Sequence, residues 1–279
     1  VIANPLIGQD GRLGNQLFQY AALKGIALKC GYEAVLPVLS DQSWHGQQSL
    51  LDNFNITSKQ ESNLQPPTHV YLEKDHMKYD ASVFSIPDGT FIKGYFQSTK
   101  YWEGFEKEIK SELTPKTEFV KKAESYINAL RIDDRPIVSL HLRRGDNTDG
   151  SNPSEELNRM YDRGGFWHSY FEKAKEKLEN TRFLVFTGGA RFTDDNSRDI
   201  QWARENLKGD FMFSEGGLPM QDFCRIMACD QHVISPISSF GWWAAYLSDG
   251  RVIAPKHYHP DIPSYTHREG FYPKEWIVV

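Results

Sequence analysis

Ile137-Val138-Ser139-Leu140-His141-Leu142-Arg143-Arg144-Gly145-Asp146 sets an apolar run directly against two adjacent arginines. The run follows Pro136 and is too short for a stable helix, so it predicts a strand buried on both faces. Downstream, apolar runs of strand length recur at Phe183–Phe186, Phe211–Phe213, His232–Ile234 and Arg251–Ala254. Between them lie helical patterns at about Phe166–Leu178, Asp199–Leu207, Met220–Cys229 and Ser239–Leu247. Repeated strand–helix units of this length specify a parallel sheet covered on both faces, a Rossmann-like half. In such sheets ligands bind at the carboxyl ends of the strands, which is where the two arginines fall.

Upstream, Glu118–Leu130 reads as a helix, and Arg131-Ile132-Asp133-Asp134-Arg135-Pro136 as a domain junction. The expected domains are residues 1–133 and 134–279, with the last segment packing back on the first half. Val1–Ile7 predicts a strand, and a Gly-rich loop over Gly8–Asn15 leads to a helix with Leu17, Phe18, Ala21, Ala22, Gly25 and Ile26 on a wide apolar face. Gly31 stands where a helix C′ residue belongs, ahead of a strand at Ala34-Val35-Leu36 stopped by Pro37. From Ser40 to about Ser111 the pattern is irregular, with one strand expected at Thr90–Tyr95. The fold class is α/β in two halves.

Composition narrows the function. With 279 residues, 39% hydrophobic and 25% charged, the chain is an ordinary globular protein of one large or two modest domains. A net charge of −5 gives no general pull toward nucleic acid or an acidic membrane surface, so an anionic ligand needs a local cationic site. Seven Trp and thirteen Tyr suit stacking against sugars, and equally a large core. No apolar run approaches the roughly 20 residues that span a bilayer, and no signal segment opens the chain. A start at Val1 without Met fits a processed or truncated N-terminus. The cytoplasm is the preferred compartment, with the Golgi lumen the alternative for a truncated eukaryotic chain. Cys30, Cys224 and Cys229 form no disulfide framework. Cys224 and Cys229 with His232 would invite zinc, but five helical positions turn the two sulfurs about 140° apart, so small buried side chains are expected. Asn55-Ile56-Thr57 is a glycosylation sequon.

Three segments carry the chemistry. In Gly11-Arg12-Leu13-Gly14-Asn15-Gln16, glycines let backbone N–H groups approach an oxyanion, and a helix N-terminus follows. In His141-Leu142-Arg143-Arg144-Gly145-Asp146, the two guanidiniums match a diphosphate, or are satisfied by carboxylates such as Asp146 and Asp149. In Ser235-Pro236-Ile237-Ser238-Ser239-Phe240-Gly241-Trp242-Trp243, Ser238 or Ser239 is placed as a helix N-cap at an anion-binding end, with the tryptophans packing. The chain holds no Asp-x-Asp triplet of the kind that seats a divalent ion under a diphosphate.

Together GRLGNQLFQYA, HLRRGD and SSFGWWAAYL resemble, in the same order, three motifs of the α-1,2-fucosyltransferase family, over residues 11 to about 255. The Gly-Asn loop and the His-x-Arg-Arg-x-Asp motif also look like those of α-1,6- and protein O-fucosyltransferases. The resemblance implies a GT-B fold of two Rossmann-like halves with the active-site cleft between them. It implies GDP-fucose as donor, a β-galactoside acceptor, inversion at the anomeric carbon, and neither metal nor cofactor. Carried over, Arg143 holds the β-phosphate with His141 beside it. Gly14 and Asn15 face the diphosphate and the reacting sugar, and Ser238, Ser239 and Phe240 line the phosphate and nucleoside. Catalysis falls to Arg143, Asn15 and Asp146, the last taking the acceptor proton. Two departures stand out: where the family shows Asn-Ser-Ser-Phe-Ser this chain has Pro236-Ile237-Ser238-Ser239-Phe240-Gly241, and where it carries Ser-Asp-Asp after the next strand this chain has Thr187-Gly188-Gly189. Alternatives are fucosyl transfer to another position, a non-catalytic glycan-binding protein of the same fold, and a glycosidase. The last would need carboxylates astride a bond, which the adjacent Asp194 and Asp195 are badly placed to supply.

Overall fold

The computed structural model describes residues 1–45, 47–76, 78–145, 165–188, 196–236, 238–256 and 269–279. The chain divides into two units, Val1–Thr117 with His267–Lys274, and Glu118–Thr266 with Glu275–Val279. Among the described residues no helix is long and apolar enough to cross a membrane.

In the first unit the strands are β1 (Ile2–Ala3), β2 (Ala34–Pro37), β5 (Lys59–Glu61), β6 (His69–Leu72) and β7 (Thr90–Lys93), ordered β5-β2-β1-β7-β6 and all parallel. A separate antiparallel pair joins β3 (Ser43–Trp44) to β4 (Gln47–Gln48). Helix α1 (Leu13–Cys30) buries most of its residues, as its apolar breadth requires. It ends at Gly31, whose φ of 71° is the left-handed conformation expected of a C′ glycine. The short α2 (Glu106–Glu112) delivers Glu112 to a buried cluster, where it accepts from Tyr20 and Thr57 and pairs with Lys24 at 2.8 Å.

Two expected strands are shorter than the apolar runs that suggested them. β1 stops at Ala3 because the Asn4 side chain accepts the Leu6 N–H at 3.0 Å and turns the chain. β7 stops at Lys93 because the Glu73 carboxylate takes the N–H groups of Tyr95 and Phe96, at 2.8 and 3.0 Å, after Gly94 at φ 149°.

Helix α3 (Thr117–Leu130), drawn into the first half by the boundary at 133 and 134, has its neighbours in the second unit. The Arg225 guanidinium lies 3.9 Å from the Tyr126 ring, and Arg131, just beyond the helix, forms a two-pronged pair with Asp230.

The second unit then runs β8 (Ile137–Leu142), α4 (Gly165–Lys175), β9 (Arg182–Thr187), α5 (Ser197–Asn206), β10 (Phe211–Phe213), α6 (Pro219–Met227), β11 (Gln231–Val233), α7 (Ser239–Leu247), β12 (Arg251–Ala254) and β13 (Ile277–Val278). The order β10-β9-β8-β11-β12-β13, all parallel, is the 3-2-1-4-5-6 order of a doubly wound dinucleotide-binding sheet. Alternation along β8 divides its work. Val138, Leu140 and Leu142 belong to one core cluster with Tyr170 and Phe171 of α4. Ser139 and His141 point the other way, Ser139 to His232 and His141 to Phe240 of α7. His232 is fully buried, with its ring nitrogens 2.8 and 2.7 Å from the Ser139 and Ser248 hydroxyls. Cys224 and Cys229 are buried, small core side chains as expected.

Candidate active site

The strand order itself marks a place. β8 has β9 on one side and β11 on the other, and the chain winds outward from it in opposite directions. The loops that leave β8 and β11 at their carboxyl ends therefore separate, which opens a crevice at the switch point. Arg143 to Gly145 follow β8, and Ile234 to Pro236 with Ser238 follow β11, so the His-x-Arg and Ser-Ser-Phe segments stand on the two sides of the switch point.

His141 is nearly buried, with its ring 5.6 Å from that of Phe240. A Cβ on Gly241 would stand 2.7 Å from its Nδ1, so the helix approaches the histidine this closely only because residue 241 is glycine. Burial, with the positive charge of Arg143 nearby, pushes the His141 pKa down to about 3. The ring is therefore neutral at pH 7, and Nδ1 has no hydrogen-bond partner among the described residues.

Arg143 is half-buried at the end of the strand, with Nη1 donating to the Arg144 carbonyl at 3.2 Å. Arg144 is 4% exposed and turns to the opposite side. Its Nε donates to Asp199 of α5 at 3.2 Å, and its guanidinium lies 4.2 Å from the Trp202 ring. The other Asp199 oxygen accepts the Gly145 N–H at 2.8 Å and the Thr187 hydroxyl at 3.2 Å. Asp199 thus ties the ends of β8 and β9 together through the adjacent arginine. The carboxylates expected to satisfy the guanidiniums, Asp146 and Asp149, lie outside the described residues, as does Gly189. Asp199 was not singled out in the sequence, and the signal that could have found it is an acid in the first turn of the helix after the next strand.

Ser238 is the N-cap of α7, its hydroxyl accepting the Gly241 N–H at 3.3 Å. Ser239 and Phe240 form the half-buried first turn. Trp242 and Trp243 are fully buried, and Trp242 packs on Tyr246 and Trp276 at 4.9 and 5.3 Å. A guanidinium at the end of β8 and a helix N-terminus after the neighbouring β11 can hold an anion by fork-shaped donation and by the helix dipole.

The first unit carries its own switch point, since β1 lies between β2 and β7. Gly11, at φ 77°, turns the loop after β1, and Gly14 is buried in the first turn of α1. Asn15 is half-buried, and its Oδ1 accepts from Gln97 Nε2 at 2.9 Å in the loop after β7. In the same loop Tyr95 donates to Asp10 at 3.1 Å, and burial together with the Asp10 charge pushes the phenol up to about 12. Neither Tyr95 nor Gln97 was singled out as a site residue in the sequence, though Tyr95 ends the strand expected at Thr90–Tyr95 and Gln97 lies two residues beyond it.

Comparison with known proteins matches this geometry to a family. Residues 6–279 match the model of glycosyl transferase family 11. Over 261 residues the chain is 29% identical to galactoside alpha-(1,2)-fucosyltransferase 1 of Aotus nancymaae, covering 88% of this chain and 65% of that protein. It is 28% identical to galactoside alpha-(1,2)-fucosyltransferase 2 of Oryctolagus cuniculus, covering 97% and 75%. The chain thus spans under two thirds of the length of the first of these relatives. Among solved structures, the fucosyltransferase NodZ from Bradyrhizobium superposes with a TM-score of 0.54 at 14% identity, covering 90% of this chain and 94% of that one. POFUT1 in complex with GDP superposes at 0.52 and 13%, covering 89% and 94%. The fold is accordingly GT-B-like, with two α/β units built on parallel sheets. A family match that spans all but the first five residues, with its motifs at the strand ends of both sheets, leaves one assignment: the chain belongs to glycosyl transferase family 11.

Proposed function

We propose that the protein moves L-fucose from GDP-fucose to the 2-hydroxyl of a terminal β-galactoside, inverting the anomeric carbon and using no metal. One observation carries the reading: Arg143 and the N-terminus of α7 flank the switch point of a 3-2-1-4-5-6 sheet in a family 11 chain. Such a crevice suits a nucleoside diphosphate. The names of the relatives supply the sugar and the linkage.

In this mechanism the bond between fucose C1 and the β-phosphate oxygen breaks as the acceptor oxygen bonds to C1 from the opposite face. Negative charge gathers on the β-phosphate, where the Arg143 guanidinium and the first N–H groups of α7 stabilise it. His141, being neutral, supports the nucleotide without adding charge. Asp146 takes the acceptor proton, and Asn15 and Gly14 are assigned to the donor on the resemblance of their loop.

The test is a panel of sugar nucleotides crossed with galactoside acceptors, run in EDTA, with product linkage read by NMR. Transfer from GDP-fucose to O2 is expected. Activity that vanishes in EDTA and returns with Mn²⁺ overturns the metal-free step. A product linked elsewhere overturns the acceptor position, and glycan binding without turnover overturns catalysis.

A further inference from the structure

We propose that Gln97 is a positioning residue for Asn15, fixing the direction of its carboxamide; this rests on the role proposed above for Asn15. A carboxamide is useful at a reacting centre only if its oxygen and nitrogen are held in one order, because the two ends have opposite hydrogen-bonding character. Here both ends are specified. Gln97 Nε2 donates to Oδ1 at 2.9 Å, which occupies the acceptor end. The Nδ2 end lies over Gly11, where a Cβ would stand 2.7 Å away, and Gly11 is also at φ 77°. The Asn15 amide is therefore set between a donor from the loop after β7 and a surface only glycine can provide.

The loop that presents Gln97 is itself held. Glu73 fixes the two N–H groups just before it, Tyr95 is tied to Asp10, and Ser98 donates to the Glu269 carbonyl at 2.7 Å. Phe96, buried next to Gln97, carries a φ of 51°, a conformation that a bulky residue adopts only when its surroundings impose it. Support of this kind on both flanks is what keeps a functional amide within the narrow tolerance that transfer chemistry needs.

The test compares Gln97→Ala, Gln97→Glu, Asn15→Ala and the double variant Gln97→Ala/Asn15→Ala. Gln97→Glu keeps size but cannot donate to Oδ1, so it should be as impaired as Gln97→Ala. Both should lose about tenfold in kcat with KM for GDP-fucose changed less. The double variant should be no slower than Asn15→Ala alone, since Gln97 then has nothing to position. Normal turnover in Gln97→Glu, or additive losses in the double variant, would overturn the proposal. An arm independent of activity separates it from the functional reading. The Asn15 side-chain NH2 resonances, identified by their absence in Asn15→Ala, should shift in both Gln97 variants. Unmoved resonances overturn the hydrogen bond itself. Moved resonances in a protein that transfers no fucose uphold the positioning and reject the reaction.

Discussion

Arg143 and Arg144 adjoin in sequence and differ in everything that surrounds them. Arg144 is buried against Asp199 and Trp202 on the α5 side of the sheet, while Arg143 is half-buried, donates to the Arg144 carbonyl and places its charge near His141. Two substitutions should therefore separate two kinds of loss. Arg143→Ala removes the charge-assisted contact to the developing β-phosphate and should lower turnover roughly a hundredfold, with little change in melting temperature. Arg143→Lys should recover little of it, because an ammonium lacks the planar fork. Arg144→Ala leaves the Asp199 carboxylate buried without its guanidinium and should cost on the order of 3 kcal/mol of stability. Steady-state transfer and thermal melts of the three variants check this, and near-normal turnover in folded Arg143→Ala would place the chemistry elsewhere. That a carboxylate could satisfy a guanidinium at this strand end was legible in the sequence. The identity of the brace was not, because Asp199 reaches Arg144 across the packing of α5 on the sheet, which no local pattern encodes.

At the scale of elements, the packing of α1 offers a test in which two effects have opposite signs. Gly25 lies inside this helix, where replacing glycine by alanine ordinarily adds about 1 kcal/mol of helix propensity. Here a Cβ would stand 2.5 Å from the Tyr101 carbonyl oxygen and 2.6 Å from the Trp102 Cα. Both are backbone atoms, and they cannot give way as the tip of a flexible side chain could. Overpacking should win, so Gly25→Ala should lower the urea midpoint by an amount equivalent to about 1–3 kcal/mol. A midpoint at or above that of the parent protein would show that the turn at Thr99–Trp102 yields. Elements of this kind also show where the sequence is readable. β8, β10, α7 and β12 have the bounds read from the sequence, because each is an apolar block closed by a polar or turn-forming residue. β5 and β6 escaped notice because Lys59-Gln60-Glu61 and His69-Val70-Tyr71-Leu72 lie largely exposed at the edges of the sheet. Their pairing is decided by backbone partners, so their side chains carry no buried signature. β13 is two residues long and owes its existence to β12 beside it.

At the scale of the whole molecule, a pH dependence follows from two histidines buried among the described residues. His141 and His232 both lie in the second sheet, and burial pushes each pKa down to about 3. In the unfolded chain a histidine titrates near its ordinary value of about 6.5. Between those values the unfolded state holds a proton on each histidine that the folded state does not, so stability falls as pH falls through that window. Above about pH 6.5 both states hold the rings neutral, and the effect is absent. At pH 5 the penalty is about 1.5 pK units per histidine, or about 2 kcal/mol each. Depressed carboxylates add to it only at lower pH, where Glu112 and Asp230 would give up the partners that stabilise their charge. The whole-chain expectation is a urea midpoint that is flat from pH 8 to about 7 and drops steeply by pH 5. His232 is the residue with which to prove the cause, because it serves Ser139 and Ser248 in the core and is given no part in the proposed chemistry. His232→Gln should begin less stable, since an amide cannot bridge both hydroxyls as the ring does. Its midpoint should then fall about half as far between pH 7 and pH 5. The same drop in both proteins would assign the acid sensitivity to other groups, and a parent midpoint unchanged at pH 5 would mean that the buried rings are protonated without cost.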